Sequence, residues 1–140
     1  MAETIHVDIV SAEGEIFAGP AKMVYLPAIE GDIGVAPRHA PLLTLLRAGE
    51  VRVLTPEGEE QFFYVGGGAL EVQPKKITVL ADTAARARDL DEAAALEARK
   101  RAEEALAGKI DKIEQAEALA ELARAAAQLK LIERLRKIKG

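Results

Sequence analysis

The sequence predicts a β + α chain: an N-terminal antiparallel β-sandwich over residues 1–86, then a C-terminal antiparallel two-helix hairpin over residues 87–140. Three observations carry this. Up to Ala81 the chain consists of short apolar stretches cut at regular intervals by glycine and proline turn signals, the pattern of a sandwich or barrel. From residue 89 onward proline vanishes, 14 residues are alanine, and glycine survives only at Gly108 and Gly140. Two capping signals, Asp89 with Glu92 and Asp111 with Glu114, divide that alanine-rich stretch into two helices.

Taken in order, Ile5, Val7 and Ile9 alternate with His6 and Asp8, which is the period of a half-buried strand from Thr4 to Val10. Glu13-Gly14 turns the chain into Glu15-Ile16-Phe17, and Ala21 to Leu26 forms a strand closed by Pro27. Glu30-Gly31-Asp32 is a turn whose glycine can supply a positive φ. The stretch Gly34 to Thr44 holds Pro37 and Pro41, each barring a helix, with Arg38 and His39 between them. Leu42 to Leu46 and Val51 to Leu54 are two strands joined by Ala48-Gly49-Glu50. Pro56-Glu57-Gly58 makes a hairpin to Gln61–Val65, the glycines 66–68 interrupt the chain, and Ala69–Val72 follows. Pro74-Lys75-Lys76 leads into Ile77–Leu80. The first helix runs to about Ala107, with Gly108 suited to a left-handed C-terminal cap. On the second helix Leu119, Leu122, Ala126, Leu129 and Ile132 recur at three- and four-residue steps along one face. So short a link makes the helices antiparallel neighbours. Alanine favours helix but buries little surface, so such a hairpin is weakly held and able to open.

Composition narrows the function. There is no cysteine, which excludes disulfides, thiolate catalysis and cysteine zinc sites. Ser11 is the one serine and sits at a strand end, a poor place for a nucleophile. No leader pattern opens the chain and no apolar run approaches the roughly 20 residues of a membrane span, so a soluble, cytosolic protein is expected. His39 lacks a second ligand cluster, Glu30 with Asp32 reads as a solvated turn, and glycines 66–68 lie between strands without the Lys-Ser/Thr of a phosphate loop. No catalytic residue, metal or cofactor is therefore expected. Net charge is −4, but residues 124–140 alone carry +5. Without interleaved aromatics that basic end does not read as a nucleic-acid surface; it suits an acidic protein partner. The competing reading is a free-standing small-molecule-binding β-domain with a helical appendage, which would require a pocket with convergent polar groups.

Four stretches resemble one family. Gly34 to Thr44, Phe63 to Pro74, Thr78 to Asp82 and Asp89 to Glu92 are similar, in this order, to segments of the epsilon subunit of F-type ATP synthases. The resemblance covers nearly the whole chain. It implies a non-catalytic rotor subunit seated on the gamma subunit and the c-ring, peripheral to the cytoplasmic side of the cell inner membrane and touching it only through the complex. Glu30, Gly31, Asp32, Arg38, His39, Ala40 and Pro41 match the c-ring-facing segments. The C-terminal helices are implied to rise along gamma towards alpha and beta and to restrain ATP hydrolysis. Arg124, Lys130, Arg134, Arg136 and Lys137 are then the residues facing beta and gamma. Some bacterial members bind ATP through Ile/Leu-Asp-x-x-Arg-Ala; here the text is Leu90-Asp91-Glu92-Ala93-Ala94-Ala95. Asp91 matches, the arginine is replaced by Ala94, and Arg99 and Arg101 are the nearest substitutes, so tight ATP binding is not expected.

Overall fold

The computed structural model of the chain describes residues 3–139. The chain divides into two compact units, one ending at Arg86 and the next beginning at Ala87.

The first unit is built from β1 (Ile5–Ser11), β2 (Gly14–Ala21), β3 (Met23–Ala28), β4 (Gly31–Val35), β5 (Leu42–Leu54), β6 (Glu60–Gln73), β7 (Lys76–Ala81) and β8 (Ala84–Arg86). The strands follow the order β2-β1-β7-β6-β5-β3-β4, and β8 pairs with β6. β1 and β7 run parallel, with His6 opposite Lys76, whereas the other pairings among the described residues are antiparallel.

The central feature is the β5–β6 ribbon, which keeps one register from Leu42 opposite Val72 to Leu54 opposite Glu60. The sequence suggests breaks at Ala48-Gly49-Glu50 and at glycines 66–68; both strands in fact run through them. What changes there is the facing of the side chains. On β6 the residues of the core cluster are Phe63 and Val65, then Leu70 and Val72, with Tyr64 buried outside that cluster; on β5 they are Leu46, then Val51 and Val53. The two-residue period slips by one at the same level of both strands, so the ribbon bends as a unit. Half of β6 then pairs with β7 and the other half with β8, which places those strands in opposite layers. Gly68 makes this possible. Its φ is +139°, and a Cβ there would overlap the Leu80 carbonyl oxygen and lie 2.8 Å from the Ala81 Cα.

Between the layers lies a core of Ile5, Val7, Ile9, Val24, Leu26, Val51, Val53, Phe63, Val65, Leu70, Val72, Ile77 and Val79. Burying each such side chain contributes about 1.5–3 kcal/mol. Pro27 does not end β3 as the sequence suggests: it is buried inside the strand, where the pairing to β5 is irregular and its missing N–H is tolerated. One edge is closed by Arg86, which donates to the Ile16 carbonyl at 3.1 Å and lies 5.6 Å from the Phe63 ring centre, with Phe17 packed on the same ring.

On the outer face of β1 and β7, Asp8 receives Lys76 Nζ at 3.1 Å and His6 Nε2 at 2.9 Å. Partial burial opposes ionisation of Asp8, but these hydrogen bonds and charges outweigh it and hold the carboxyl below its ordinary range. A lowered folded value means that the stabilisation is complete above the unfolded pKa of about 3.9 and is lost as pH falls through the folded value. Asp8→Asn will therefore lower stability by up to about 1 kcal/mol near neutrality, a surface-pair magnitude. Urea melts of both proteins will converge once pH falls below the folded value; a deficit that persists there assigns Asp8 a role other than charge.

In the second unit a 3-10 turn, Ala87–Asp89, precedes α1 (Glu92–Ala107) and α2 (Lys112–Lys139). The cap of α1 is Asp91, two residues later than the sequence suggests: its carboxylate accepts the Ala94 N–H at 3.2 Å, while Asp89 closes the 3-10 turn. Asp111 caps α2 as expected, accepting the Glu114 N–H at 2.8 Å. Gly108 is extended rather than left-handed, at φ −93°. The buried residues of α2 are Ala118, Ala125 and Leu131, offset from the sequence-derived stripe; Leu122, Leu129 and Ile132 are half-buried, and Leu119 and Ala126 are exposed. Ala95 and Ala102 are the buried residues of α1.

Candidate functional site

Two polar segments and one apolar row occupy the sandwich around the first half of β5. The β3–β4 turn is a two-residue hairpin, Ile29-Glu30, with Ala28 opposite Gly31, whose φ is +143°. The Ile29 N–H donates to the Leu45 carbonyl at 2.9 Å, and Asp32 is paired with Arg47. This fixes the turn against β5 with Glu30 and Asp32 exposed.

The second segment links β4 to β5. Ala36 to His39 form a turn closed by the His39 N–H on the Ala36 carbonyl at 3.2 Å. Pro37 presets the first corner and Arg38 takes a positive φ of 69°, the signature of a type II turn, which ordinarily prefers glycine there. That conformation costs an arginine about 1–2 kcal/mol. It is held by the Arg38 N–H on the Pro74 carbonyl at 2.9 Å and by the guanidinium on Glu3 at 2.6 Å. His39 is half-buried and its Nδ1 donates to the Ala40 carbonyl at 2.6 Å. Strained backbone of this kind clusters at functional sites.

The turn and the loop thus stand at either end of Leu42 to Leu45, which spans about 10 Å at strand spacing. Between and beside them are exposed apolar residues that the sequence analysis did not single out as a site. Leu43 is 77 % exposed, Leu45 57 %, Ile29 56 % and Leu80 56 %. Leu45, Ala69 and Leu80 form one cross-strand row on the outer face. A signal was present: Leu42, Leu43, Leu45 and Leu46 are apolar on both faces, the pattern of a strand covered on both sides.

On the hairpin, Arg124, Lys130, Arg134, Arg136 and Lys137 are all exposed and spread over about 20 Å of α2. Arg136 pairs with Glu92 at 2.9 Å and Lys137 with Glu133 at 3.5 Å. The residues considered for nucleotide have other partners: Asp91 caps α1, Arg99 lies 4.0 Å from Glu103, and Arg101 lies 3.3 Å from Glu121. Among the described residues no cluster of His, Asp and Glu is arranged to hold a metal, and no helix is long and apolar enough to cross a membrane.

Comparison with known proteins accounts for both units. Residues 4–87 match the family described as ATP synthase, Delta/Epsilon chain, beta-sandwich domain, and residues 88–133 its long alpha-helix domain. The ATP synthase epsilon chain of Alkalilimnicola ehrlichii is 66 % identical over 134 residues, covering 96 % of each chain. That of Nitrosococcus oceani is 61 % identical over 140 residues and the full length of both. Among solved structures, a chain of the Euglena gracilis mitochondrial ATP synthase, OSCP/F1/c-ring, shares the fold at a TM-score of 0.69 and 17 % identity, covering 98 % of this chain and 82 % of that one. A chain of the Tetrahymena thermophila central stalk/c-ring aligns at 0.59 and 12 % identity, covering 93 % and 97 %. The bent sandwich and the alanine hairpin are the two domains of one family, and this chain belongs to it: the delta/epsilon chains of ATP synthase.

Proposed function

We propose that the chain is a non-catalytic central-stalk subunit of an F-type ATP synthase, docked through its sandwich on the gamma subunit and the c-ring. Its C-terminal helices reach towards alpha and beta and restrain ATP hydrolysis. It is peripheral to the cytoplasmic side of the cell inner membrane and held there by the complex. The observation that carries this is the set of exposed apolar side chains Leu43, Leu45 and Leu80, with Ile29 in the β3–β4 turn, beside the polar segments Glu30 to Asp32 and Arg38 to Pro41. An apolar patch rimmed by polar residues on a folded face suits protein docking. The polar rim, with its strained Arg38, provides the c-ring contact; the leucines provide burial. Family membership favours this reading over a free-standing small-molecule-binding domain.

A tagged wild-type chain will co-purify gamma, alpha, beta and c subunits. Leu43→Asp together with Leu45→Asp will lose them. Each leucine forfeits about 1.5–3 kcal/mol of burial, so affinity should drop at least 100-fold. Both positions are exposed, so the isolated variant will keep its cooperative unfolding. Undiminished recovery of the partners from a folded variant assigns docking to another face.

A further inference from the structure

We propose that the Glu92–Arg136 ion pair is a latch that keeps the hairpin closed and withholds the basic end of α2 from its partner. This deepens the proposed function and rests on its reading of that end as partner-facing. Glu92 is the first residue of α1 and Arg136 lies in the last turn of α2, so the pair ties the open end of the hairpin, opposite the link at Gly108 to Asp111. The seam behind it is small: Ala95 and Ala102 on α1, Ala118 and Ala125 on α2, with Leu131 the one large buried side chain. Alanine contributes little burial, so polar ties weigh more in closure here than in a leucine-packed hairpin. Glu92 and Arg136 are joined at 2.9 Å with both side chains about half exposed, open to competition from outside.

The chemistry of the two states is the same. An arginine fork satisfies one carboxylate at a time with full geometry. In the closed hairpin that carboxylate is Glu92. In the open one it belongs to the acidic wall that a +5 terminus is suited to meet. Asp91, the neighbouring acid, is already engaged with the Ala94 N–H and is a poor substitute. Arg101 with Glu121, at 3.3 Å, forms a second tie nearer the link. The end therefore frees itself first, and the acidic partner competes directly with Glu92 for Arg136.

The chain contains no cysteine, so cysteines placed at the exposed Ala93 and Ile138 can carry a dye pair that reports opening in the full-length protein. Glu92→Gln will raise the open fraction about 1.5- to 5-fold, as will Arg136→Gln, and the double variant will match either single one. High salt will open the wild type by a similar factor and leave Glu92→Gln nearly unaffected. Unchanged distances in Glu92→Gln, or effects that add in the double variant, overturn the latch. In the assembled complex Glu92→Gln, which retains the whole basic end, will deepen the restraint on hydrolysis. If the hairpin opens in the free full-length subunit but hydrolysis does not respond, the latch stands and the partner-facing role of the tail falls.

Discussion

Gly68→Ala will destabilise the β-sandwich by about 2–6 kcal/mol. Backbone strain at φ +139° contributes about 1–3 kcal/mol, and forcing a methyl against the Leu80 carbonyl and Ala81 Cα contributes about 1–3 more. Against a total stability of about 5–15 kcal/mol this is a large fraction. Gly58→Ala provides the comparison. Gly58 also has a positive φ, +89°, but nothing lies near its absent Cβ, so the loss there should be about 1–2 kcal/mol of strain alone. Urea denaturation of both variants measures the difference. Equal losses would mean that β7 yields to the methyl and that the bend does not depend on close approach at this residue.

The same glycines show what is and is not legible in the text. Local propensity reads Gly66-Gly67-Gly68 as an interruption, because glycine weakens strands. Pairing along the full length of β5 overrides that, and the glycines become the place where the side-chain phase slips. Strands β4 and β8 are missed for a related reason: Gly31–Val35 contains two glycines, and Ala84–Arg86 is held chiefly by its pairing with β6. The helix pair is legible from its alanine, its missing proline and its caps, yet the buried face of α2 is not. Alanine occurs on nearly every side of that helix, so periodicity alone favours several faces, and packing chooses Ala118, Ala125 and Leu131. The polar candidate segments are legible because proline, glycine and charge mark exposed turns. The leucines beside them are legible only as a strand apolar on both faces; which of them stay exposed is not, because an outward Leu43 reads the same as an inward Leu42.

Removal of residues 124–140 will raise ATP hydrolysis by the assembled complex while leaving assembly intact. The segment carries a net +5 on a chain otherwise at −9, with Leu129, Ile132 and Leu135 half-buried beside that charge. Each exposed ion pair contributes only about 0.2–1 kcal/mol, but several acting with apolar contact amount to a coupling of at least about 1 kcal/mol. Hydrolysis should then rise about fivefold or more. Replacing Arg134, Arg136 and Lys137 with alanine will reproduce part of the increase. ATP will not strongly reverse the restraint, since Ala94 stands where the nucleotide-binding pattern has arginine. Hydrolysis unaltered by truncation at every nucleotide concentration would reduce the basic end to a solvated helix terminus.

The parallel pairing of β1 with β7 bears on how the protein emerges from the ribosome. β1 lies between β2, its immediate successor, and β7, with His6 opposite Lys76 seventy residues downstream. At about 5–20 residues per second, roughly 4–14 seconds separate synthesis of the two strands. Through that interval Ile5, Val7 and Ile9 belong to a nascent hairpin with one bare edge and no core to cover them. Such an edge invites pairing with other chains. The first strand made is among the last to be enclosed, so the newborn chain is most exposed to aggregation just before its sandwich closes.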